Sequence, residues 1–154
     1  MSSKITHKNP DYFKLLQKRF KDKYEVAVGL PKGGDSTGKQ YPDGTPVLEV
    51  AWYNEFGTKT IPARPFLKIG GRLASKALQD ELIEVFRSAN NGQELRELLG
   101  VIGLQATAIV QDTILKLKTP PNAPRTIAKK GSANPLIDTG LLRQSITHQV
   151  RKAE

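Results

Sequence analysis

The chain has no cysteine among its 154 residues, which removes disulfides and thiolate metal sites from consideration. Its only histidines are His7 and His148, too few for an imidazole-built zinc centre. Aromatic residues make up 6% of the chain and do not alternate with its lysines, so a base-stacking platform for single-stranded nucleic acid is not expected. Apolar runs are only a few residues long, and no hydrophobic stretch follows the opening Met1-Ser2-Ser3-Lys4. Neither a signal peptide nor a membrane span is expected. The Gly-x-Ser-x-Gly elbow of serine hydrolases is missing, and Ser132, Ser145 and the two histidines form no nucleophile pattern. These absences point to a soluble protein that folds in a reducing cytoplasm, without cofactor or metal.

Positive charge is abundant. Twenty-four lysines and arginines against fifteen acids give a net charge of +9. They crowd two stretches, one at Lys14, Lys18, Arg19, Lys21 and Lys23, the other at Lys116, Lys118, Arg125, Lys129 and Lys130. No acid lies between Asp112 and Asp138. Such surfaces attract phosphates, but a basic face that merely keeps a protein solvated looks the same in sequence.

Local signals give an order of elements. Asn9-Pro10-Asp11 is a helix start, followed by an apolar stripe at Phe13, Leu16 and Phe20. Tyr24, Val26, Val28 and Leu30 alternate as in a strand that Pro31 stops. Gly33-Gly34 and Gly38-Lys39 suggest a phosphate loop, but Gln40 stands where that motif needs Ser or Thr. Residues 45–57 fit a strand through Leu48, Val50 and Trp52. They fit better a short helix started by Thr45-Pro46 and ended by Gly57. The arm 57–66 is extended by its prolines. One helix is then expected from Pro65 through Phe86, weakened at Gly70-Gly71, and a second from Gln93 to Lys118 with Asn91 and Glu94 as a capping box. Phe66, Leu73, Leu95, Leu99, Ile102 and Ile109 are the residues expected to pack these two helices on the sheet. Residues 120–137 form a proline-bearing excursion with one helical turn closed by Gly131, and Ile146, His148 and Val150 alternate in a final strand. The expected fold class is α+β, a small antiparallel sheet against two long helices plus short ones, in one domain over residues 1–154.

Residues 138–140 read Asp-Thr-Gly, the loop of an aspartic protease. A protease needs two such aspartates sharing a proton, and this chain has one copy. Leu141, Leu142 and Ser145 follow at helical spacing, so Asp138 or Thr139 is expected to be a helix N-cap instead. Asp80, Glu81 and Glu84 are read as a solvated helix face.

Three stretches together, "VAWYNEFGT" with "IPARPFL", "PPNAPRTIAKKGS" and "PLIDTGLLRQSI", resemble the tail-component or neck proteins of tailed bacteriophages, the tail-completion and head–tail joining proteins among them. The likeness covers roughly residues 47–150; residues 1–46 carry no matching motif. The resemblance implies a non-enzymatic virion component made in the host cytoplasm, forming a ring, six copies by the habit of tail rings, around the DNA channel. Its implied partners are itself, neighbouring neck proteins, the tail terminator or tail tube, the head connector, and DNA passing through the lumen without sequence preference, with no membrane.

The stiff arm and the long basic loop are the segments expected at subunit interfaces, because proline-limited backbone loses little entropy on docking. The expected interface residues are Phe56, Gly57, Ile61, Pro62, Arg64, Pro65, Phe66, Pro121, Asn122, Pro124, Thr126 and Lys130. Arg125, Lys129 and Lys130 are candidates to face DNA. The alternative for the arm is a rigid internal connection; for the whole protein it is a basic nucleic-acid-binding accessory protein.

Overall fold

A computed structural model of the chain describes residues 14, 15, 17, 18, 20–34 and 37–153. Residues 14, 15, 17 and 18 are helical; the expected start at Asn9-Pro10-Asp11 lies outside the described residues. The fold is α+β, with six helices and a two-stranded antiparallel sheet among the described residues. In chain order the elements are β1 (Tyr24–Gly29), α1 (Val47–Phe56), α2 (Phe66–Ala77), α3 (Gln79–Asn90), α4 (Leu95–Lys116), α5 (Pro124–Lys130), α6 (Leu141–Ser145) and β2 (Thr147–Lys152).

Helix α4 is the spine. The sheet rests on it, α2 and α3 pack along it, and β1 pairs with the sequence-distant β2 over it. The register pairs Val26 with Val150 and Val28 with His148, and these four side chains form the inner face of the sheet. Across the outer face Glu25 pairs with Arg151.

The sheet can approach closely because residue 103 is glycine. A Cβ there would stand 2.3 Å from the His148 ring, and the Thr107 hydroxyl, bonded back to Gly103 O, lies 3.4 Å from His148 Nδ1. Gly70 does the same for helix on helix: its missing Cβ would meet the Val110 Cα at 3.0 Å. The Gly70-Gly71 pair is therefore no weak point, since the first glycine is a packing surface of α2.

The single helix expected from Pro65 to Phe86 is two helices, divided at Leu78 (φ −101°, ψ 14°). Phe66, Gly70, Ala74 and Leu78 are buried at a spacing of four, which drifts about 40° per step around a 3.6-residue helix. The hydrogen bonds from Leu78 N to Ala74 O and from Leu82 N to Leu78 O persist through the break. Leu73, expected in the core, is exposed because Gly70 and Ala74 hold the contact with α4. Helix α4 starts at Leu95 with Glu94 as N-cap and no side-chain cap bond, so the expected Asn91–Glu94 box does not form.

By length and composition α4 is apolar enough to cross a membrane, with a mean hydropathy of 1.6 over 18 residues. In this fold its apolarity serves two clusters. One joins Leu99, Ile102 and Ala106 to Ala74, Leu78 and Val85; the other joins Val110 and Ile114 to Val47, Phe66 and Leu142. Fully buried side chains such as Phe66 and Ile114 each contribute about 1.5–3 kcal/mol.

Gly103→Ala should lower unfolding free energy by about 1–3 kcal/mol, as overpacking does, because backbone and an imidazole ring must move. Gly71→Ala, whose Cβ would meet nothing within 4 Å, should stabilise by up to about 1 kcal/mol. Urea denaturation of the two variants checks this; equal effects would refute the close-approach account.

Candidate functional site

The arm after α1 is a closed clasp. Gly57 turns the chain at φ 75°, and a Cβ there would strike Ala63 N at 2.9 Å and Ile61 O at 3.0 Å. The Thr58 hydroxyl accepts from the N–H groups of Thr60 and Ile61, and Asn54 O accepts from Arg64 N at 2.6 Å. Pro65, with φ −75° and ψ 67°, makes an inverse γ-turn closed by Phe66 N donating to Arg64 O at 2.7 Å.

Helix α2 thus begins directly after a proline that offers no capping side chain. Its first N–H groups need an acceptor. The buried Glu55 of α1 supplies it, Oε2 accepting from Leu67 N at 2.8 Å and Oε1 from Lys68 N at 3.0 Å. A carboxylate at a helix N-terminus also suits the dipole.

Arg64 ties the clasp to the long loop. Only 3% exposed, it donates through Nε to Pro120 O (2.7 Å) and through Nη2 to Pro121 O (3.1 Å) and Asn122 Oδ1 (3.2 Å). Nη1 reaches Asn54 Oδ1 at 3.4 Å. Burial pulls its pKa below the usual arginine value.

Beside it, Tyr41, Asp43, Asn54, Lys130 and Asp138 line a cleft of about 190 Å³. Burial, with Asp138 and Asp43 acting in the same sense, raises the Tyr41 pKa against the effect of a backbone hydrogen bond from Leu142. Burial lowers that of Lys130, helped by Arg64 and opposed by Asp138. The Lys130 amine reaches Pro135 O at 3.2 Å and Asn134 O at 3.5 Å. A cleft this small accommodates a side chain rather than a cofactor-sized ligand. Among the described residues no three His, Cys, Asp or Glu side chains gather as a metal site.

The expected interface residues therefore divide. Phe56, Pro62, Pro121, Pro124 and Thr126 are exposed, and Gly57, Ile61, Pro65, Asn122 and Lys130 are half-buried. Arg64 and Phe66 are buried within their own chain, so their side chains do not form an outer surface; they are bond and core of the clasp. Among the expected DNA-facing residues Arg125 and Lys129 are exposed, but Lys130 turns its amine to backbone carbonyls. Asp138 is not the N-cap: Gly140 takes that place in the left-handed region (φ 80°) and has no side chain to bond, so the expected service to the first turn comes only from Thr139, one residue outside the cap. Thr139 Oγ1 accepts from Leu141 N at 3.3 Å as a local turn, while Asp138 faces the polar cleft. Ser145 is buried in the core and Ser132 accepts from Asn134 N.

Sequence reasoning passed over Glu55 and the exposed ridge on α1. A glutamate at the end of a short apolar helix, ahead of a helix that starts after proline, was the available signal. The ridge is Leu48, Trp52 and Phe56, each more than 60% exposed, with the two rings 4.4 Å apart.

Compared with known proteins, the chain matches no family model, no curated protein and no solved structure.

Glu55→Ala should cost about 2–3 kcal/mol, the loss of charge-assisted bonds at a buried helix start. Glu49→Ala on the exposed side of the same helix should cost under about 0.5 kcal/mol; equal losses in urea melts would refute the capping role. Tyr41 should ionise above its ordinary pKa of 10.0. Because the unfolded chain then loses that proton first, stability should fall as pH rises past 10, and Tyr41→Phe should flatten the fall.

Proposed function

We propose that the chain is a structural subunit of a tailed-bacteriophage neck, forming a ring at the head–tail junction that completes the tail and joins it to the head connector. It works by assembly rather than by catalysis. One observation carries this reading. The three stretches that resemble neck proteins lie far apart in sequence yet build one unit in space. Arg64 of the first bonds Pro120, Pro121 and Asn122 of the second. Leu136, Leu142 and Ile146 of the third pack with Ala51 and Phe66 of the first.

The unit also leaves surface free for neighbours. Helix α5 buries none of its residues, and the α1 ridge is uncovered. The reading as a basic nucleic-acid-binding accessory protein draws on the exposed Lys118, Arg125 and Lys129 in a segment without acids. Salt separates the two, since phosphate binding weakens linearly on a log–log scale as salt rises and an apolar subunit contact does not.

Replacing residues 124–130 with glycine and serine of equal number should leave a folded, helical protein, because no core residue is lost. The same change should block incorporation into virions and leave heads and tails unjoined in electron micrographs of infected-cell lysates. Normal incorporation of the replaced chain, or of a chain located away from the head–tail junction, would refute the neck reading.

A further inference from the structure

Among the described residues, two unlike apolar ridges stand out by their exposure. The first is Leu48, Trp52 and Phe56 on α1, spaced by four and exposed by 61%, 61% and 62%. The second runs along α4 through Gly100, Leu104 and Ala108, also spaced by four, with Leu104 63% and the adjoining Val101 56% exposed. This second ridge lies on the β2 flank of α4, because Gln111, two turns beyond Leu104, donates to Ile146 O. The opposite flank holds α2 through Val110.

We infer that the two ridges are the two halves of one contact between copies of this chain, the α1 ridge of each subunit seated on the α4 ridge of the next. The shapes correspond. Ridges of i, i+4 spacing interdigitate at about −50° in the commonest mode of helix packing. Here one ridge is built of bulky knobs, Trp52 and Phe56. The other is indented at Gly100, where a Cβ would meet nothing within 4 Å, and at Ala108.

The size of the α1 ridge suits a subunit contact. Trp52 and Phe56 present roughly 200–300 Å² of ring surface between them, from side chains of about 150–250 Å² each. A ridge of that size is the apolar centre that a standard interface of about 800 Å² per partner surrounds with a polar rim. Pairing α1 with α1 would leave Leu104 and Val101 bare on both subunits, whereas head-to-tail pairing covers both ridges with one contact. A head-to-tail contact repeats, and it closes into a ring when the rotation allows. The inference deepens the ring reading and rests on it for closure.

The chain's single tryptophan lies in the centre of this contact, so the wild-type protein reports on itself. Raising its concentration should give oligomers in native mass spectrometry and move Trp52 emission to shorter wavelength over the same range. Trp52→Glu and Leu104→Glu, both on exposed positions, should keep the circular dichroism of the parent. Each should weaken self-association by at least about 30-fold, the effect of a hot-spot residue. Mixed together, the two variants should form heterodimers, because each retains the ridge the other has lost.

Oligomers of Leu104→Glu as tight as the parent's would overturn the inference, as would oligomerisation without a change in Trp52 emission, or a mixture that stays monomeric. A parent chain that remains monomeric at its highest concentration would overturn it as well. Incorporation into virions judges the neck reading separately. If either glutamate variant loses its helical signal, Leu48→Gln and Val101→Gln replace them with the same expected outcomes.

Discussion

Helix α2 starts where the chain cannot cap it. Pro65 fixes the turn into the helix but offers no side-chain acceptor, so the first N–H groups depend on a carboxylate brought from a different helix. Glu55 meets that demand only if α1 lies across the start of α2. That position in turn sets where Val47 and Ala51 reach the core, how Phe66 is enclosed, and where Asn54 waits for Arg64. A local shortage of hydrogen-bond acceptors is in this way converted into a fixed angle between two elements. The exposed face of α1, with Trp52 and Phe56, is aimed by the same constraint.

A second requirement, close approach, organises the other half of the molecule. A two-stranded sheet has little stability alone. It persists here because α4 lies directly beneath it, with Gly103 under the His148 ring and Thr107 beside it. Gly70 gives α2 the same intimacy on the other flank. Both glycines lie inside helices, where each gives up roughly 1 kcal/mol relative to alanine. The packing they permit offsets that loss.

Much of this was legible in the amino-acid order. Alternation at Val26 and Val28, and at His148 and Val150, placed both strands; Thr45-Pro46 with Gly57 marked α1, and Gly131 closed α5 with φ 67°. Two of the misses share a cause, dependence on a partner distant in sequence, and a third was a local contest. Leu73 looked like core until Gly70 and Ala74 proved to hold the contact with α4. Arg64 looked like an outward contact because nothing near it in sequence announces Pro120, Pro121 and Asn122 as its acceptors. Asp138 satisfied the local pattern of a cap, yet Gly140 stood two residues nearer the helix and took the role. Periodicity reports which face of a helix is apolar; it does not report whether a neighbour arrives to cover it, and so the exposed apolar ridges on α1 and α4 went unmarked beside the buried faces of the same helices.

The guanidinium of Arg64 has one further consequence. Its acceptors are backbone and side-chain carbonyl oxygens, and no carboxylate is among the bonds it makes within the described residues. Neutral dipoles do not titrate, and mobile ions screen them far less than they screen an exposed ion pair. The joint between arm and loop therefore keeps its strength through acidification or a change of ionic medium, either of which would loosen a joint made of opposite charges. Its vulnerability is mechanical: drawing residues 120–122 away would strand a cation in a dry interior, so the loop and the arm move together or not at all.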